Sequence, residues 1–303
     1  MRYKEMFESG ELLERVREGY QRLRKCDICP HACGVDRLAG QVGRCGAGKG
    51  PRIASANIHR GEEPPISGSR GSGTIFLSGC TLTCRFCQNF PISQLRNGTD
   101  LSVRELAGKM LGLQARGAHN INFVTPTHYT PQIMAALYAA VQDGFTIPIV
   151  WNTSGYERVD TLKLLEGIVD IYLPDMKYTS ESEAVRLSGA PGYTELNRLA
   201  VAEMLAQVGH LETDEDGIGT RGLIIRHLVL PEGAAGSAET LRWIAEHLGR
   251  ETHIALMSQY FPAHVAPETP GIGRRITAEE YAEAVEALEE CELDNGWVQD
   301  EPE

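Results

Sequence analysis

Apolar residues recur at near-helical spacing through residues 1–22. Met6, Leu12, Leu13, Val16 and Tyr20 stand among charged neighbours there and predict a helix. Residues 23–73 lose that period. They carry four cysteines, many glycines and the run Glu63-Pro64-Pro65-Ile66-Ser67-Gly68, and read as a small, loop-rich module too poor in apolar side chains to hold together without a metal. From residue 74 short apolar runs alternate with helical stretches. Strands are predicted at Thr74–Ser78, Ile121–Val124, Pro148–Trp151, Val169–Leu173, Leu223–Leu230 and His253–Met257. Helices are predicted over Leu101–Arg116, Thr130–Gln142, Asp160–Leu165, within 181–208, over 238–248 and over 277–290. The last opens on Thr277 with Glu280 three residues later, a capping box.

Six strand–helix repeats in series imply an α/β chain of parallel strands with right-handed crossovers, either a doubly wound sheet or a barrel. Chemistry gathers at the C-terminal ends of the strands in both. Polar clusters fall there: Gly79-Cys80, Thr125-Pro126-Thr127-His128, Asn152-Thr153-Ser154 and Pro174-Asp175-Met176-Lys177. The expected organisation is an N-terminal helix and cysteine-rich module over 1–72, a core over 73–292 and an acidic tail over 293–303.

The formal net charge of −12 disfavours extended binding to a phosphate backbone, so no nucleic-acid partner is expected. No apolar run approaches the roughly 18–20 residues of a membrane helix, and the first residues lack the apolar core of a secretory signal. A soluble, cytoplasmic protein is expected. In that setting clustered cysteines read as metal or redox ligands before disulfides. Seven of the eight cysteines lie between residues 26 and 87.

The loop after the first predicted strand reads Gly79-Cys80-Thr81-Leu82-Thr83-Cys84-Arg85-Phe86-Cys87-Gln88-Asn89, a C-x3-C-x2-C arrangement. Three thiolates on one short loop can each bind one iron of a cubane cluster, which leaves the fourth iron without a protein ligand. An open coordination position is what makes a metal catalytic. The competing reading is structural zinc, which three cysteines without a nearby fourth ligand suit poorly.

With an aromatic before its last cysteine, this loop resembles the signature of the radical S-adenosylmethionine (SAM) superfamily. The wider wording is similar to one branch, the homologues of pyruvate formate-lyase activating enzyme. The matching stretches include Cys29-Pro30-His31, Cys33-Gly34-Val35-Asp36-Arg37, Glu63-Pro64-Pro65-Ile66-Ser67-Gly68, Asn120-Ile121-Asn122, Thr125-Pro126-Thr127-His128-Tyr129, Asp170-Ile171-Tyr172-Leu173-Pro174-Asp175 and Arg226-His227-Leu228-Val229-Leu230-Pro231. The resemblance implies a partial (β/α)6 barrel, open on one side, with a [4Fe-4S] cluster on Cys80, Cys84 and Cys87. It further implies SAM on the open iron, an electron donor such as flavodoxin or ferredoxin, and a 5′-deoxyadenosyl radical that abstracts hydrogen.

Site residues carry over from the same resemblance. Many superfamily members hold the SAM amino group with Gly-Gly-Glu after the second strand. Here Thr125-Pro126-Thr127-His128 stands instead, which leaves Thr127 or His128 for the task, or His128 as a structural histidine. Lys177 and Arg226 are implied as SAM contacts, with an ordinary ion pair as the alternative. Thr153, Asp175 and the Met176 carbonyl are implied to line a monovalent-cation site, from which one charge is missing because Asn152 replaces an aspartate. The implied reaction is activation of a glycyl-radical enzyme, which makes a protein the substrate. A radical SAM methyltransferase, a small-molecule-modifying enzyme and a non-catalytic iron–sulfur or zinc scaffold are the alternatives.

Cys26, Cys29, Cys33 and Cys45 form a second group, C-x2-C-x3-C-x11-C, suited to a closed zinc or an auxiliary iron–sulfur cluster. Cys291 is isolated and receives no role.

Overall fold

Gly10 interrupts the N-terminal helical pattern. Its φ of +86° is left-handed backbone, so the chain forms two helices, Tyr3–Ser9 and Glu11–Arg22, where one was expected. The second lies on helix Thr130–Gln142 at Gly19, where a Cβ would stand 2.8 Å from Met134 Cε. Residues 1–300 are described by the computed structural model.

The strands are β1 (Arg52–His59), β2 (Ser72–Leu77), β3 (Thr99–Asp100), β4 (Ile121–Val124), β5 (Ile149–Thr153), β6 (Ile171–Pro174), β7 (Glu212–Thr213), β8 (Gly219–Leu228), β9 (His253–Met257) and β10 (Gly296–Val298). They form one sheet in the order β10-β9-β8-β6-β5-β4-β2-β1-β3, with β7 paired to β8 off that path. Every pair from β2 to β10 along the path is parallel. The pairs β1/β2, β1/β3 and β7/β8 are antiparallel. The chain is therefore α/β with a mostly parallel sheet.

The six expected strands are β2, β4, β5, β6, β8 and β9, and each lies beside the next in chain order. That order never reverses, so the sheet lacks the switch point of a doubly wound fold. Helices Val103–Ala115, Thr130–Gln142, Val159–Leu165, Tyr193–Val208, Ser237–His247 and Ala278–Glu290 alternate with the strands, and the last opens on the Thr277–Glu280 capping box.

Side chains on the central strands alternate between two apolar clusters. Phe123, Trp151, Tyr172 and Ile225 join the large core shared with the helices. Val150, Ile171, Leu173 and Ile224 form a small cluster on the other face, and Ile66 of the Glu63-Pro64-Pro65-Ile66 run fills it. Both faces are thus covered, as parallel sheets require. Among the described residues no helix is long and apolar enough to cross a membrane.

Four strands are not legible as hydrophobic pattern. β1 lies within the stretch read as loop; it is mostly half-exposed and depends on pairing with β2. The short strands β3 and β7 are fully exposed. β10 falls in the stretch read as an acidic tail, where it pairs with β9. Beyond it, Gln299 N–H donates to Leu256 O at 3.2 Å and Ser258 Oγ to Asp300 O at 2.7 Å, so ordered pairing continues to Asp300. Residues 301–303 lie outside the described residues.

Candidate active site

The cysteine loop leaves β2 through Gly79, at φ +84°, where a Cβ would stand 2.5 Å from Cys45 O. Glycine alone permits that turn and that approach. Leu82 and Phe86 are buried and anchor the loop, Phe86 lying edge-on to Tyr260. Backbone bonds from Thr83 N–H to Ser188 O and from Arg85 N–H to Leu187 O fix its middle. The three thiols are then held toward one cavity of about 170 Å³. An adjoining cavity of about 220 Å³ shares Cys84, Cys87, Asn89, Asp175, Lys177 and Arg226 with it. A larger cleft, about 670 Å³, runs along helix Ala278–Glu290 but is lined mainly by glutamates and small apolar side chains.

Each sulfur has a hydrogen-bonding neighbour. Leu82 N–H donates to Cys80 Sγ at 3.3 Å, Ser188 Oγ donates to Cys84 Sγ at 3.0 Å, and Ser93 Oγ lies 3.2 Å from Cys87 Sγ. Donors to sulfur are the outer-shell contacts that orient thiolate ligands and tune a cluster. As free thiols, Cys80 is raised by burial and Cys84 is pushed up to about 11 by burial, against the pull of Lys177. Zinc gathers its sulfurs to about 2.3 Å from one centre, whereas a cubane spreads them over separate irons. Three thiols around one cavity, with no fourth cysteine lining it, fit the cubane.

Asp175 organises the opposite wall. Lys177 Nζ donates to Asp175 Oδ2 at 2.6 Å and Arg226 Nε to Oδ1 at 3.0 Å, with the Asp175 and Lys177 side chains only 13% and 15% exposed. Burial raises the Asp175 carboxyl, but Arg226 and Lys177 outweigh it and hold the group below its ordinary value. Burial lowers Lys177, yet the Asp175 carboxylate leaves it raised. Arg226 Nη2 also donates to Asn152 Oδ1 at 2.7 Å, and Nη1 approaches Glu62 Oε1 at 3.5 Å.

Of the residues expected at the site, Cys80, Cys84, Cys87, Thr153, Asp175, Lys177 and Arg226 line the shared cavity. Thr127 and His128 do not. Thr127 is buried and donates to Glu157 Oε1 at 2.7 Å; His128 Nε2 lies 2.9 Å from Ser78 O, behind the loop. Burial holds His128 down to about 4, so the ring is neutral and braces the strand end. Thr125 faces the cavity from that segment, at φ +59°, a conformation a β-branched residue rarely adopts. The oxygens expected to hold a monovalent cation are each engaged. Thr153 Oγ1 donates to Glu157 Oε1, Asp175 bonds the two cations, and Met176 O lies 2.7 Å from His227 Nδ1.

The N-terminal cysteines pack against the back of the loop. Cys26, Cys29 and Cys45 are buried and Cys33 is exposed. His31 Nε2 lies 2.7 Å from Thr81 O, and Arg44 Nη2 donates to Thr83 Oγ1 at 3.2 Å. Burial pushes Cys29 up to about 12, with smaller increments from Cys45, Cys26 and Cys33.

Sequence reasoning missed Ser188, Glu157 and Glu62. Ser188 and Glu157 carry no motif and act only through contacts distant in sequence. Glu62 immediately precedes the Glu63-Pro64-Pro65 run, which was a signal without an assigned role.

A sequence profile described as the Radical SAM superfamily matches residues 74–217. A relative from Methanocaldococcus jannaschii, described as uncharacterized protein MJ0674, is 31% identical over 279 residues, covering 89% of this chain and 76% of its own. Two solved structures are similar at lower level. TYW1 with a lysine-pyruvate adduct bound has a TM-score of 0.41 at 14% identity, over 75% of this chain and 76% of that one. HydG, a maturase of the [FeFe]-hydrogenase, has a TM-score of 0.49 at 12% identity, over 74% of this chain and 50% of that one.

Proposed function

Because this chain belongs to the radical SAM superfamily, we propose that it cleaves SAM reductively at the cavity under β2, β5, β6 and β8, within a partial (β/α)6 barrel. The observation that carries this reading is the shared cavity: three thiols on one wall and the Asp175–Lys177–Arg226 network on the other. A [4Fe-4S] cluster held there, once reduced by an external one-electron donor, would supply the electron for cleavage of the sulfonium C–S bond to methionine and a 5′-deoxyadenosyl radical.

The chain's own residues position the reactants. Cys80, Cys84 and Cys87 would hold the cluster and leave one iron open to the cavity. Lys177 and Arg226 present positive charge suited to the SAM carboxylate, and the planar fork of Arg226 suits two-point binding. Asp175 keeps both cations in place before the ligand arrives, so their ordering cost is met on folding. Thr125 and Thr153 line the same cavity.

The finer reading is hydrogen abstraction from a glycine of a partner protein, as in the activating enzymes. It is supported by Asn152-Thr153-Ser154-Gly155 and Asp175-Met176-Lys177, which stand where those enzymes carry similar runs. We assign Cys26, Cys29, Cys33 and Cys45 to a second thiolate centre, zinc or an auxiliary cluster, packed behind the first.

Anaerobic reconstitution with iron and sulfide, followed by dithionite and SAM, is expected to release 5′-deoxyadenosine and methionine in equal amounts. Protein that carries its cluster yet forms no 5′-deoxyadenosine overturns the proposal. S-adenosylhomocysteine in its place assigns methyl transfer.

A further inference from the structure

Glu62 belongs to neither the cysteine loop nor the strand ends, yet it reaches Arg226. Its segment is a tight turn: Glu62 N–H donates to Ser67 Oγ at 2.9 Å, Ser67 Oγ donates back to Glu62 O at 3.2 Å, and Ile66 N–H donates to Glu63 O at 2.8 Å. Ile66 seats the turn in the small cluster of Val150, Ile171, Leu173 and Ile224, and Asn120 Nδ2 donates to Ile66 O at 2.8 Å. The turn therefore caps the sheet face opposite the helices and places the Glu62 side chain, 11% exposed, beneath the site.

Glu62 Oε2 accepts from Asn122 Nδ2 at 2.6 Å and from Asn152 Nδ2 at 3.2 Å. Asn152 Oδ1 in turn accepts from Arg226 Nη2 at 2.7 Å. The carboxylate thus decides which way the Asn152 amide faces. With nitrogen toward Glu62, oxygen faces the guanidinium; reversed, an N–H group would meet an N–H donor. Burial raises the neighbouring Glu63 carboxyl, against the pull of Arg226.

We propose that Glu62 is a positioning residue for SAM binding, holding Asn152 and through it Arg226 in the orientation that meets the ligand. This rests on the reading of the cavity as a SAM site. It also accounts for an amide at position 152: a carboxylate there would face Glu62 across 3.2 Å, the present Asn152–Glu62 separation, and repel it.

The ring permits a reciprocal exchange. In Glu62→Gln the amide at Asn152 loses its charged acceptor; in Asn152→Asp two carboxylates oppose each other. In the double variant the amide introduced at position 62 donates to the carboxylate introduced at position 152, which accepts from Arg226. The link from position 62 through position 152 to Arg226 and the net charge are then kept, with the charge moved one link; the Asn122 Nδ2 bond to Glu62 Oε2 is re-formed only with the Asn122 amide turned, so that its unpartnered Oδ1 accepts from the new amide. SAM affinity is measured by calorimetry on reconstituted, anaerobic holoenzyme, with cluster content and melting temperature read alongside. Each single variant is expected to bind SAM about tenfold more weakly at unchanged cluster content, and the double variant within about threefold of wild type. Equal binding by wild type and both single variants, or a double variant as weak as the two single losses combined, overturns the role of Glu62 while leaving the site intact. Wild-type holoenzyme that does not bind SAM overturns the site reading itself, and this inference with it. If Glu62→Gln does not fold, Asn152→Asp and the double variant still decide: rescue supports the role, and its absence overturns it.

Discussion

Alanine at Cys84 is expected to reduce 5′-deoxyadenosine formation to less than about a hundredth of wild type, since loss of an outer-shell contact alone costs a metal site 10–100-fold. Cys84 lies between the two adjoining cavities and beside both Ser188 and the Lys177 charge. The triple replacement tests the placement of the metals. With Cys80, Cys84 and Cys87 all replaced by alanine, iron is expected to fall by about four atoms per chain, and any metal retained belongs to Cys26, Cys29, Cys33 and Cys45. Metal analysis and the visible absorption of the reconstituted protein read both quantities. A triple variant with undiminished iron places the cluster elsewhere.

Asparagine at Asp175 is expected to cost stability as well as activity. Removing one partner of a buried ion network typically costs about 3–5 kcal/mol, because the remaining charge stays desolvated. Here the lower end is expected: Arg226 keeps Asn152 and Glu62, while Lys177 loses the carboxylate that holds its pKa up. About 3 kcal/mol in a chain of 303 residues lowers the melting temperature by roughly 5 °C. The pH dependence has a definite sign. The folded carboxyl sits below its ordinary value, so its contribution is complete above the unfolded carboxylate pKa and is lost as pH falls through the folded one. The gap between wild type and D175N should therefore hold constant from pH 6 to 8 and narrow below about pH 4. A gap that widens in acid, or a variant as stable as wild type at pH 7, contradicts the network.

The parallel core was legible because its strands are buried on both faces and read as apolar runs, as in Ile149-Val150-Trp151 and Ile171-Tyr172-Leu173. The cysteine loop was legible because its chemistry lies in one short run. What escaped depends on partners distant in sequence. β1 has too weak an alternation to be seen without β2, and β10 is three residues whose order comes from β9. Thr127 and His128 were sought at the ligand because their loop follows β4. The backbone turn at Thr125 instead sends them behind it, to Glu157 and Ser78. Glu62 shows the converse: nothing in its local sequence points to Arg226, and only the turn that seats Ile66 brings them together.

The central claim is an iron corner left open by Cys80, Cys84 and Cys87 and closed by SAM. Electron–nuclear double resonance on the dithionite-reduced holoenzyme, with SAM labelled by 17O in its carboxylate and 15N in its amino group, reads that bond directly. Hyperfine coupling from both labels, lost in the Cys80, Cys84 and Cys87 triple alanine variant, is the predicted result. SAM bound by calorimetry with no coupling to either label would contradict it.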